Sequence, residues 1–120
     1  MFEVHFFEDK QGRQPIKELL INLRDKAKNS KDARVQYNKI LSYIRSLEEY
    51  GTRIGEPLVK HMEGDIWELR PTSHRILFFY WKENKFILLH HFIKKTNKTP
   101  PKEIEKAKRN MQYYKERNSN

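Results

Sequence analysis

The 120-residue sequence contains no cysteine, which excludes a disulfide scaffold and any thiolate metal or redox centre. Glycine is scarce, and no glycine-rich run of the kind that cradles a nucleotide phosphate is present. Also missing are a Gly-x-Ser-x-Gly elbow, an HExxH pair and clustered aspartates for Mg²⁺. Serine-nucleophile, zinc-hydrolase and magnesium-dependent chemistries therefore lack their usual residues, and neither a metal nor a cofactor is expected. No uncharged apolar stretch is long enough to cross a bilayer. The start, Met1-Phe2-Glu3-Val4-His5, has no basic segment followed by an apolar one, so no secretory signal is expected, and the expected compartment is the cytoplasm. Negative charge is in short supply as well: 16 acidic residues face 25 lysines and arginines, for a net charge of +9.

That imbalance turns the reading toward what is present. Charge of this size on a domain-sized chain attracts polyanions, of which nucleic acid is the commonest in a cell. A lysine-rich surface that only keeps the chain soluble is the plainer alternative. Hydrophobic residues at 37% and aromatics at 12% are enough for a core, and the length suits a single domain over residues 1–120.

The nearly alternating Phe2–Phe7 predicts an opening strand. From Pro15, apolar residues Ile16, Leu19, Leu20, Leu23 and Ala27 recur at helical spacing. Asn29–Asp32 interrupts this helix and offers caps for a second, striped by Ala33, Tyr37, Ile40, Leu41, Ile44 and Leu47, with Gly51 as its stop. Residues 51–65 read as a long loop. A three-stranded meander follows: Ile66–Arg70, a turn at Pro71–His74, Arg75–Trp81, a turn at Lys82–Lys85, and Phe86–Ile93. Thr99 is placed to cap a last helix that opens on Pro100 and Pro101 and carries Ile104, Ala107, Met111 and Tyr114 on one stripe. The polar tail Lys115–Asn120 is expected to fray. The order β-α-α-β-β-β-α predicts an α+β domain with a small antiparallel-rich sheet, an N-terminal helical hairpin and a C-terminal helix.

Strand alternation sharpens the functional reading. A four-residue turn at 71–74 sets Arg70 opposite Arg75. Trp67, Leu69, Ile76, Phe78 and Tyr80 then form a core face. The other face, expected to be open, carries Ile66, Glu68, Arg70, Arg75, Leu77, Phe79 and Trp81. Two cross-strand arginines repel each other and call for an anion or a nearby carboxylate. Glu68 supplies the carboxylate, either as a general base or as a residue that orients Arg75. A solvated surface network is the plainer alternative. The segment Lys94-Lys95-Thr96-Asn97-Lys98 should return to the same sheet end, and its lysines with the hydroxyls of Thr96 and Thr99 suit a phosphate cradle. His90 and His91 should point to opposite faces. Lys60, His61 and His74 are further candidates for RNA contact. Such a cluster suits metal-free RNA cleavage, in which the 2′-OH attacks the adjacent phosphorus while the protein moves protons and steadies charge.

The stretches Ile66-Trp67-Glu68-Leu69-Arg70-Pro71, His74-Arg75-Ile76-Leu77-Phe78-Phe79 and Leu89-His90-His91-Phe92-Ile93-Lys94-Lys95-Thr96-Asn97-Lys98-Thr99-Pro100, closing with Glu103-Ile104 and Ala107, resemble the RelE/ParE superfamily. Within it they resemble the HigB-like, phage-related toxin branch. The resemblance covers roughly the C-terminal half. It implies a RelE-like fold and a ribosome-dependent endoribonuclease that cuts mRNA. It also implies a HigA-like helix-turn-helix antitoxin as partner, in a heterotetramer of two toxins and two antitoxins. By position, Arg75 matches the arginine that contacts the scissile phosphate, Lys95 a basic residue that steadies charge, and Arg70 the basic residue closing the preceding strand. The catalytic set so implied is Glu68, Arg70, Arg75 and Lys95, with Lys94, Lys98, Lys60, His61 and His74 binding RNA. Ile66 and Glu68 stand where RelE has two lysines, and no tyrosine follows the Lys-Lys pair. Two other functions fit the same fold: a ParE-like inhibitor of DNA gyrase, and a module that binds RNA without cutting it.

Overall fold

The computed structural model describes residues 1–119. β1 (Glu3–Phe6) leads through a turn into α1 (Pro15–Lys26), where Pro15 takes the first helical turn that tolerates a missing N–H. Ser30 caps α2 (Lys31–Tyr50) by accepting from the Ala33 amide at 3.1 Å. α2 ends at Gly51, whose positive φ of 64° suits glycine. A Cβ there would lie 2.8 Å from the Phe2 ring, so the stop also makes room for β1 to pass. Ile16, Leu19 and Leu23 of α1 and Ala33, Ile40, Ile44 and Leu47 of α2 are the buried members of the two predicted stripes.

The segment read as a loop is structured. A 3₁₀ turn covers Gly51–Ile54, and β2 (Val59–Glu63) follows as an edge strand. Only Val59 of β2 is buried, so no alternation marked it in the sequence. β3 (Ile66–Leu69), β4 (His74–Trp81) and β5 (Lys85–Ile93) form the predicted meander, and α3 (Pro101–Arg117) closes the described chain. The sheet order is β1-β5-β4-β3-β2, with β1 parallel to β5 and all other neighbours antiparallel. The domain is α+β, as expected.

Helices cover both sheet faces, which overturns the expectation of an open face. α1 and α2 pack on Leu69, Ile76, Phe78, Phe86 and Leu88. α3 packs on Ile66, Leu77, Phe79, Ile87 and Leu89 through Ala107, Met111, Tyr113 and Tyr114. Sequence alternation had shown that this second face was apolar at Ile66, Leu77 and Phe79. Apolar residues on both faces are the mark of a strand buried on both sides. Tyr80 departs the other way. It is 48% exposed at the far end of β4, with its hydroxyl accepting from the Asn84 amide at 3.1 Å in the β4–β5 turn. The tail is more ordered than expected, since α3 runs through Lys115 to Arg117; Asn120 lies outside the described residues.

A bulge in β5 sets the histidines. Leu77 pairs with His90 and Phe78 with Leu88, leaving Leu89 without a partner in the ladder. Beyond it, His90 shares the α3 face with Leu77, and His91 shares the α1–α2 face with Ile76. The two histidines therefore point to opposite faces, as expected.

Candidate functional site

The charged end of the sheet is a groove of about 300 Å³ between β2, β3 and the β5–α3 connection, bordered by Lys60, His61, Met62, Glu68, Arg70, Lys94, Asn97, Lys98 and Thr99. Register builds it. Leu69 pairs with Ile76, so one step on Arg70 lies opposite Arg75, while Lys60 of β2 lies opposite Glu68. The Lys94 amide donates to the Ser73 carbonyl at 2.8 Å, which ties the end of β5 to the β3–β4 turn.

Glu68 is the centre of this arrangement and is buried, at 1% exposure. Its Oε1 stands 3.4 Å from Arg70 Nε and 3.8 Å from Arg75 Nε. Its Oε2 accepts from the Thr99 hydroxyl at 2.6 Å. One carboxylate thus lies between two like-charged guanidinium groups, and this is the local answer to their repulsion. Arg75 Nη1 also donates to the Thr72 and His74 carbonyls, which anchors the side chain to its own turn. Arg70 Nη1 lies 3.7 Å from Glu56 Oε1. Neither arginine Nε has a hydrogen-bond partner.

The electrostatics favour an anion. Lys60, Arg70, Arg75, Lys94 and Lys98 face two carboxylates, Glu56 and Glu68. Desolvation, and then the neighbouring Arg70 and Arg75, push the Lys94 ammonium below its ordinary value, while Glu68 pulls the other way. Desolvation also lowers Arg75; Glu68 opposes this and Arg70 adds to it. Guanidinium remains charged through such a shift, whereas ammonium can give up its proton.

The predicted set does not converge as a whole. Glu68, Arg70, Arg75, Lys94, Lys98 and Lys60 come together. His61 stands on the Trp67 side of β2, edge-on to that ring, with its Nε2 2.7 Å from the Gly64 carbonyl, and only borders the groove. Lys95 is exposed on a separate groove with Phe92, Pro100, Lys102 and Glu103. His74 turns to the α1–α2 face, 6% exposed, with its Nε2 2.8 Å from Gln36 Oε1; burial lowers its pKa. His91 lies beside it, ring centroids 6.4 Å apart, and is lowered by burial, then by His90 and His74. His90 is taken up by Glu103 of α3 at 2.7 Å. Neither predicted cradle hydroxyl is free. Thr96 donates to the Lys98 carbonyl at 2.7 Å, and Thr99 is engaged with Glu68. Nor does Thr99 cap α3, whose N-cap is Pro100 with no side-chain bond. Glu56 and the Thr99–Glu68 bond escaped the sequence reading, because nothing local marks a contact between residues from different elements. Among the described residues, no three histidine, aspartate or glutamate side chains are grouped for a metal.

The family model described as phage derived protein Gp49-like (DUF891) matches residues 26–112, well over half of the chain. The chain belongs to the Gp49-like family. This is a family of RelE/ParE-like toxins, in keeping with the resemblance read from the motifs. No curated protein matches the chain. Every residue of the groove lies inside the matched Gp49-like span, whereas β1 and most of α1 precede it. A toxin-like chain of this kind implies an antitoxin partner.

Proposed function

We propose that the whole chain, residues 1–120, is one HigB-like toxin domain that acts in the cytoplasm as a ribosome-dependent mRNA endoribonuclease. The observation that carries the reading is the convergence of Arg70 and Lys94 on a groove open to a polyanion, with Arg75 set against the same buried Glu68. Arg70 and Arg75 hold the scissile phosphate and steady the charge that builds on it. Lys94, its pKa depressed by desolvation and by the two arginines, takes the 2′-OH proton as the 2′-oxygen bonds to phosphorus. The P–O5′ bond breaks, the 5′-oxygen takes up a proton from solvent water, and the products carry a 2′,3′-cyclic phosphate and a 5′-hydroxyl. Glu68, with both oxygens engaged, orients the arginines. Lys60 and Lys98 grip flanking phosphates, His61 reaches the strand at the groove's edge, and Lys95 contacts RNA or ribosome on the adjoining surface. His74 supports the turn that carries Arg75. A HigA-like helix-turn-helix antitoxin neutralises the toxin in a heterotetramer.

Purified protein added to translating ribosomes tests this. Wild type should leave mRNA fragments ending in cyclic phosphate, and Arg75→Ala should slow cleavage by about 10²- to 10³-fold, the usual cost of losing one donor to a developing oxyanion. Equal mRNA integrity with both proteins sinks the reading, and inhibition of gyrase supercoiling without RNA cleavage replaces it with the ParE-like one.

A further inference from the structure

Thr99 belongs to a connector, yet its hydroxyl does something a connector does not need. A threonine just ahead of a helix ordinarily bonds the free amides of the first turn. Here α3 has no side-chain cap, and the hydroxyl reaches back 31 residues to Glu68 Oε2 at 2.6 Å. The bond is short, and its acceptor is a carboxylate with 1% exposure. Hydrogen bonds to ionised, desolvated groups are the strong ones.

The consequence lies on the other oxygen. Glu68 Oε1 faces Arg70 Nε at 3.4 Å and Arg75 Nε at 3.8 Å, and neither Nε makes a hydrogen bond. The guanidinium groups therefore follow the charge of Oε1 rather than a close-fitting bond to it. Rotation of the carboxylate about its last torsion, which is soft for glutamate, would change the distance from Oε1 to both arginines. The Thr99 bond fixes that torsion. The segment is itself held down, because Glu103 in the first turn of α3 engages His90 of β5 and its amide donates to the Pro100 carbonyl.

We propose that Thr99 is a positioning residue: through Glu68 it sets the separation and aim of the Arg70 and Arg75 guanidinium groups that receive the phosphate. The role assigned to the arginines rests on the ribonuclease reading above; the mechanical link from Thr99 to both arginines does not.

The test uses the full chain with Thr99→Val, which keeps the shape and removes the donor, Thr99→Ala, which removes the donor with a smaller side chain, and Thr99→Ser, which restores the donor. The first readout is the Nε–H resonances of Arg70 and Arg75 in a ¹⁵N spectrum. Val and Ala should displace both, and Ser should return both to the wild-type positions. Unmoved arginine resonances in whichever of Val and Ala retains a dispersed spectrum overturn the proposal, whether or not the protein cuts RNA. The second readout is cleavage on ribosomes. Val and Ala should lower kcat by about 10- to 100-fold, the scale of a small misplacement of reacting groups, while KM changes little and Ser recovers the rate. A rise in KM at unchanged kcat, or a loss that Ser fails to repair, also overturns it. If wild type cuts nothing, the ribonuclease reading fails, and the resonances still decide the link.

Discussion

Glu68 and Lys94 have opposite relations to charge, and each yields a measurement. Glu68 is buried between two arginines that retain 21% and 14% side-chain exposure. Removing its charge leaves two cations facing each other with the carboxylate gone. Breaking a buried pair from one side typically costs 3–5 kcal/mol. The partial exposure of both arginines lets water recover some of this, so Glu68→Gln should cost about 3 kcal/mol in urea unfolding. A loss near zero would mean that the arginines do not depend on it. On the proposed ribonuclease reading, Lys94 acts in the reaction instead. Neutral lysine accepts a proton and the ammonium does not, so cleavage should rise with pH through the depressed Lys94 pKa. Lys94→Arg keeps the charge but cannot deprotonate, and that rising limb should vanish from its pH–rate profile. A limb that survives the substitution would assign the proton to another group. His74 gives the stability counterpart. Burial lowers its pKa in the fold, so the unfolded chain takes up a proton first as pH falls below the ordinary histidine value of 6.5. Its contribution is fully present above pH 6.5 and is lost as pH falls further toward the folded value. Tm should therefore drop between pH 7 and 5, and less steeply in His74→Gln.

At the scale of elements, the glycine stop of α2 lets β1 pass, and the bulge of β5 sets the register of the strand that leads to Lys94. Gly51 combines a left-handed φ with a ring 2.8 Å from where a Cβ would stand. Gly51→Ala should cost more than about 1 kcal/mol in denaturant unfolding, because alanine disfavours that φ and Phe2 must also move. A neutral outcome would mean that β1 and α2 adjust freely. This position was legible in the sequence, because helical periodicity ends there on a glycine. The meander was legible too, since its β-branched and aromatic runs are separated by turn residues at Pro71–His74 and Lys82–Lys85. What alternation cannot report is the element that covers a face. Ile66, Leu77 and Phe79 announced a second apolar surface, but only the fold brings α3 onto it and buries Glu68 beneath the connector. β2 was hidden because Val59 is its one buried residue. The Leu89 bulge was hidden because a run of apolar residues in β5 shows no break in period where the register shifts. Arg70, Arg75 and Lys94 could be brought together from turn length and strand direction alone. Lys95 and His74 could not be kept out, because neighbours in sequence diverge once a strand ends or a side chain takes the opposite face.

Across the whole molecule, the net charge of +9 admits two accounts of the proposed RNA binding, and salt separates them. If the excess acts as a diffuse field, many weak contacts share the load, and any one lysine matters little. If the groove holds the strand, binding counts the phosphates that Lys60, Arg70, Arg75, Lys94 and Lys98 neutralise. For single-stranded nucleic acid, log K falls with log salt at about 0.7 per neutralised phosphate, so four or five contacts give a slope of roughly −3. Lys60 and Lys98 are exposed, so replacing them should leave the fold intact. The double variant Lys60→Gln/Lys98→Gln should flatten the slope by about 1.4 units in anisotropy titrations of a labelled RNA against KCl. Removing two charges from exposed positions of α1, which packs toward β1 and β5 rather than β2 and β3, as in Lys17→Gln/Arg24→Gln, lowers net charge equally and serves as the comparison. A diffuse field predicts the same small loss from both pairs. The groove predicts a flattened slope from the first pair and an unchanged one from the second; equal slopes from the two would move the RNA off the groove.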